Sequence, residues 1–178
     1  EMGIGNTTAA SAVTAALLAV PAERVTGRGT GLDDNGLVRK IQVIEKALAF
    51  HRQNLTDPAA VLQHVGGFEL AALTGAILGG ARHGLSVVID GWIVSAAALA
   101  ALRMNPQAMD YLFFAHQSEE SGHRFLLETL EVQPVLNLAM RLGEASGAGL
   151  AMGILETALR IYRETATFTE AGVANRES

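Results

Sequence analysis

Apolar stretches of helical period alternate along this chain with short glycine-rich breaks. Small and apolar residues run from Thr7 to Val20 as a predicted helix, with Asn6 placed to accept from the free N–H groups of its first turn and Pro21 to stop it. A second glycine-rich break follows at Thr26–Gly36. Asp33 or Asp34 then caps a helix whose Leu37, Ile41, Ile44 and Leu48 recur on one face. Asp57–Pro58 opens a short helix that ends at Gly66–Gly67, and Phe68–Arg82 continues as a helix rich in alanine and glycine. The register then changes. Leu85–Asp90 is short, β-branched and bounded by Gly84 and Gly91, which predicts a buried strand, and Tyr111–Ala115 predicts another. Trp92–Arg103, Gly122–Leu130 (capped by Ser121) and Ala145–Thr165 read as helices.

Strand, helix, strand, helix predicts an α/β fold: a doubly wound, mainly parallel sheet with helices on both faces. Residues 1–178 form one such unit. Ligands of these sheets sit beyond the carboxyl ends of the strands, where Asp90-Gly91 and His116-Gln117-Ser118 fall.

Composition narrows the function classes. The net charge is -5 and no Lys/Arg cluster occurs, so nucleic acid is not an expected partner. Ala9–Val20 and Ile93–Leu102 are too short to span a bilayer, so no membrane partner is expected. A cytoplasmic location is a separate expectation, which the composition does not fix. The absence of cysteine excludes disulfides, thiolate metal sites and cysteine nucleophiles. The chain opens on Glu1 rather than methionine and reads as a fragment, with any targeting segment upstream.

The glycine clusters carry the candidate chemistry. In Glu1–Thr8 (Glu-Met-Gly-Ile-Gly-Asn-Thr-Thr), Gly3 and Gly5 precede a helix whose N–H groups suit an anion, with Thr7 and Thr8 as further donors; an ordinary capped turn is the plainer alternative. Thr26–Asp34 (Thr-Gly-Arg-Gly-Thr-Gly-Leu-Asp-Asp) has neither P-loop nor dinucleotide spacing. Its Gly27, Gly29 and Gly31 permit a close approach to a ligand or subunit, or make a flexible surface loop. Lys40 either reaches a phosphate or is solvated. Asp90 accepts from a ribose hydroxyl or caps a helix. His116 and His123 fit no standard metal spacing, so no metal is expected, and Ser118 and Gly122 read better as anion donors. Arg141–Gly149 (Arg-Leu-Gly-Glu-Ala-Ser-Gly-Ala-Gly) sets Glu144 after a glycine and before a helix. That glutamate complements the helix dipole or serves as a base in a pocket closed by apolar walls.

In order, these segments resemble the nicotinate-nucleotide–dimethylbenzimidazole phosphoribosyltransferase family, together with Gly66–Leu73, Asp90–Leu99 and Ser118–His123. The resemblance runs to Thr167–Val173 and so covers nearly the whole chain. It implies transfer of the 5-phosphoribosyl group of nicotinate mononucleotide to 5,6-dimethylbenzimidazole, giving α-ribazole 5′-phosphate and nicotinate in cobalamin lower-ligand assembly. No cofactor is implied, and a homodimer is. Carried onto this sequence, Glu144 is the catalytic base and Glu1 an assisting carboxylate. Phosphate and ribose contacts fall on Gly3, Gly5, Asn6, Thr7, Gly27, Gly29, Gly31, Lys40, Asp90, Gly91, Ser118 and Gly122, with Arg141 and Gly143 beside the base. Glu119 and Ser121 replace the family's usual alanine and proline, and Asn137 replaces an acidic residue, so Glu119 is expected to point away from the phosphate. Relatives carry a further length of chain upstream that supplies much of the acceptor pocket. The alternatives are a non-catalytic nucleotide-binding module and a transferase using another base or a phenolic acceptor.

Overall fold

The computed structural model describes residues 3–173. Its helices are α1 (Asn6–Leu18), α2 (Asp34–His51), α3 (Pro58–Val65), α4 (Phe68–Arg82), α5 (Trp92–Met104), α6 (Ser121–Thr129) and α7 (Ser146–Glu164). Its strands are β1 (Val87–Ile89), β2 (Leu112–Phe114), β3 (His116–Ser118) and β4 (Leu136–Met140). β1 pairs with β2 and β3 with β4, both in parallel. Ala115 joins β2 to β3. Its N–H donates to Ile89 O and its carbonyl accepts from Leu136 N–H, so the segment from Leu112 to Ser118 runs between β1 and β4.

Alternation along the strands decides what each face covers. Val87, Ile89, Leu112 and Phe114 pack into the main core with Ile44, Leu70, Ile77 and the alanines of α5. Val88, Ala115 and Leu136 turn the other way, onto Ala148 and Ala151 of α7. Parallel strands with helices on both faces are as the sequence predicts, although the strands are short and their pairing narrow.

α5 runs through the middle, against α1 and α4, with Ser95 to Leu102 buried on every side. A helix buried all round must be small as well as apolar, and its run of alanines lets neighbouring helices approach closely. The expected boundaries of α3 and α4 hold: Asp57 caps α3 by accepting from Ala60 N–H, with Pro58 in its first turn. Asp33, rather than Asp34, caps α2 through Gly36 N–H.

Three local expectations need correction. Asn6 does not cap α1 but begins it. Gly5 takes the cap position at φ 79, a left-handed course that glycine adopts without a Cβ penalty, and no side chain caps the turn. Ser121 likewise lies inside α6, with Glu120 at the cap position, and its hydroxyl donates to Thr26 O instead. The sequence reading also has no strand at Leu136–Met140. That strand lies at the edge of the sheet and is only partly covered, so it shows no buried apolar run.

Candidate active site

Three parallel segments end together: β1 at Asp90-Gly91, β3 at Ser118 and β4 at Arg141 to Glu144. Their ends, with Gly3 and Thr7 at the start of α1 and Gly29 and Thr30 from the second glycine loop, line one cleft of about 180 Å³. A larger hollow of about 570 Å³ between α3 and α4 is lined mainly by apolar residues, among them Leu62, Phe68, Leu78 and Met104, with no charged side chain, and none of the expected site residues reaches it. The cleft also collects polar atoms left without partners. Trp92 Nε1 and His116 Nδ1 on its wall are buried without a hydrogen bond among the described residues, as are Ser146 Oγ and Asn6 Oδ1 at the first positions of α7 and α1. Such orphans are few in native proteins and concentrate where a ligand supplies the missing bond.

The two glycine loops are tied together from below. Lys40 is buried, and its Nζ donates to Thr7 Oγ1 at 2.8 Å and to Gly27 O at 2.9 Å. Burial lowers its pKa, against the charge of Glu120, which raises it. Lys40 lies beneath the loops, its Nζ bound to both of them. Gly29 passes above it at φ 56, and a Cβ there would come within 3.0 Å of Thr7 Oγ1.

Glu120 is the residue that sequence reading missed. It lines the cleft, and its side chain leans on Gly27, where a Cβ would collide with it. Burial raises its pKa, while Lys40 and the Gly29 N–H lower it. No local signal marked it: β3 ends at Ser118, and Glu120 stands at the cap position of α6, where only the fold turns its side chain toward Gly27. Glu119 is exposed, as expected.

Behind the cleft, His123 accepts from Ser118 N–H at Nδ1 (2.9 Å), so its proton sits on Nε2 and donates to Ser95 Oγ at 2.9 Å. Burial holds its pKa down to about 3, with His116 as a lesser cause. His123 is thus a neutral strut for β3. Both its nitrogens are engaged, which leaves none for a metal.

At the mouth, Gly143, Glu144 and Ala145 follow one another at φ 80, 56 and 59. The left-handed region costs a non-glycine residue roughly 1–2 kcal/mol, so Glu144 and Ala145 form a strained turn, which recurs at functional sites. Glu144 is exposed; the apolar walls expected around it are not closed among the described residues.

Of the expected site residues, the fold brings Gly3, Thr7, Gly29, Asp90, Gly91, Ser118, Arg141, Gly143 and Glu144 to the cleft. Lys40 and Gly27 stand directly behind it. Gly5 faces a shallow apolar hollow beside Val43 and Val65, and Gly31 is exposed on its loop. Gly122 is buried for packing: a Cβ would lie 2.7 Å from Val25 O and 2.9 Å from Trp92 Cη2. Glu1 lies outside the described residues.

A family model described as phosphoribosyltransferase matches residues 1–173. The chain is 51% identical over 175 residues to the nicotinate-nucleotide–dimethylbenzimidazole phosphoribosyltransferase of Shewanella frigidimarina, covering 98% of this chain and 50% of that protein. To the protein of the same name from Azotobacter vinelandii it is 52% identical over 175 residues, again 98% of this chain and 50% of the other. The crystal structure of CobT from Thermus thermophilus superimposes with a TM-score of 0.90 at 49% identity, over 97% of this chain and 51% of that one. The chain spans about half the length of the relatives it matches.

Proposed function

The chain belongs to the phosphoribosyltransferase family, and on that premise we propose that it is the catalytic portion of an enzyme transferring the 5-phosphoribosyl group of nicotinate mononucleotide to 5,6-dimethylbenzimidazole. The observation that carries the reading is the convergence of Glu144 with the two glycine loops on one cleft at the carboxyl ends of parallel strands.

In this reading the 5′-phosphate lies against the Gly27–Gly31 loop and Ser118, over the positive charge of Lys40. Glu120 occupies part of that ground and yields to the phosphate. Asp90 and Gly91 take the ribose. One benzimidazole nitrogen attacks C1′ with its lone pair as the C1′–N bond to nicotinate breaks, and that bond's electrons return to the pyridine nitrogen. The incoming base arrives opposite the leaving nicotinate, so the β-linkage becomes an α-linkage. The other ring nitrogen gives its proton to the Glu144 carboxylate, the one base that the step requires. Glu1 assists in orienting the acceptor.

The cleft is smaller than the roughly 300–1,000 Å³ of small-molecule pockets. Residues beyond this segment, in a protein of its relatives' length, therefore complete the acceptor side and enclose Glu144. The acceptor can then be another benzimidazole, a purine or a phenol without changing the groups described here. The enzyme acts as a homodimer in the cytoplasm, where its phosphorylated substrate is retained.

The test is Glu144→Gln in the intact protein, with nicotinate release followed in the presence of dimethylbenzimidazole. A fall in kcat of about 10²–10⁴-fold is expected for loss of a general base. Turnover near that of the wild type would remove Glu144 from the role.

A further inference from the structure

The strained turn that carries Glu144 needs something to hold it, because left-handed Glu144 and Ala145 would relax if α7 were free to shift. Ala145 stands at the cap position of α7 and offers no side chain to the free N–H groups of the first turn. The third of those N–H groups, that of Ala148, is the one a local cap residue would ordinarily satisfy. Here it donates to Asp90 Oδ1 at 2.8 Å in a buried bond from the end of β1. Asp90 thus caps α7 from another element, with its negative charge at the positive end of the helix.

His116 closes the same joint. Its ring packs so tightly on Gly147 that a Cβ there would collide with it, and its Nδ1 lies 3.8 Å from Asp90 Oδ1. The first turn of α7 is therefore fixed from below by Asp90 and from the side by the His116 ring. Glu144 lies four residues before Ala148, connected through the hydrogen bonds Ser146 N–H to Gly143 O and Gly149 N–H to Ala145 O.

We infer that Asp90 is a positioning residue for Glu144, its carboxylate anchoring the first turn of α7 and so holding the Gly143–Ala145 turn in its left-handed course. This rests on Glu144 being the base and adds to the ribose contact a second task for Asp90. One carboxylate oxygen faces the helix while the residue still lines the cleft.

The experiment is a double-mutant cycle in the intact enzyme, reading kcat and KM for nicotinate mononucleotide. Asp90→Ala is expected to lower kcat tenfold or more. Asp90→Asn keeps an acceptor for the Ala148 N–H and should recover most of that loss. On a Glu144→Gln background, Asp90→Ala should cost at least several-fold less in kcat than it does alone, leaving only the share owed to its ribose contact, since a misplaced base that is already gone cannot be lost again. Gly147→Ala, which pushes the same turn off His116, provides a second variant with the same expected pattern should Asp90→Ala fold poorly. Full, multiplicative losses on the Glu144→Gln background overturn the inference, as does a loss confined to KM. Glu144→Gln acting like wild type overturns the base assignment first, and the inference with it.

Discussion

His123 joins the candidate site to the stability of the molecule. Burial holds its pKa at about 3 in the folded chain, against about 6.5 when unfolded. A depressed folded pKa means that the unfolded chain takes up the proton first as pH falls. The stability owed to neutral His123 is fully present above pH 6.5 and drains away between there and pH 3. From this residue the loss between pH 7 and pH 5 is on the order of 2 kcal/mol. Urea unfolding at the two pH values should show it, and His123→Gln, less stable at pH 7, should show a shallower dependence. An unchanged pH dependence in the variant would contradict this account. At the same scale, Glu144 and Asp90 were legible in the sequence as residues flanking glycines at element ends. What Asp90 touches was not, because its partner, Ala148, is 58 residues away and a backbone N–H has no sequence signature.

The elements repeat that division. α3 and α4 were legible to the residue because their starts and stops are local: Asp57 with Pro58, then Gly66 and Gly67. The caps of α1, α6 and α7 were not, since Asn6 and Ser121 make no capping bond and Ala145 has none to make. Glycines divide in the same way. Gly122 meets Val25 backbone and the Trp92 ring, which cannot yield, so Gly122→Ala should lower stability by about 1–3 kcal/mol as α6 is forced off the turn at Ala22–Val25. Gly153 in α7 faces open space, so Gly153→Ala should be neutral or stabilising by up to about 1 kcal/mol through helix propensity. Chemical denaturation of the two variants checks the contrast. Equal effects would mean that the packing at Gly122 is looser than described.

For the whole molecule, the apolar residues that α7 leaves exposed, among them Leu150, Ile154, Leu159 and Ile161, suit contact with further protein. The homodimer proposed above should sediment as a dimer at micromolar concentration, and a monomer there would remove it. Among the described residues no helix is long and apolar enough to cross a membrane. By itself the sequence determined the α/β class, the parallel order, most helix boundaries and the family, because each rests on period, turn residues or motifs that are local in the chain. Only the tertiary structure decided that Gly122 packs against Val25 and Trp92, that Lys40 lies beneath the loops, and that Glu120 turns inward beside them. It also decided that Asp90 holds the helix following Glu144. Those facts depend on which distant segments meet at the ends of β1, β3 and β4, and burial and hydrogen bonding between such segments exist only once the chain has folded.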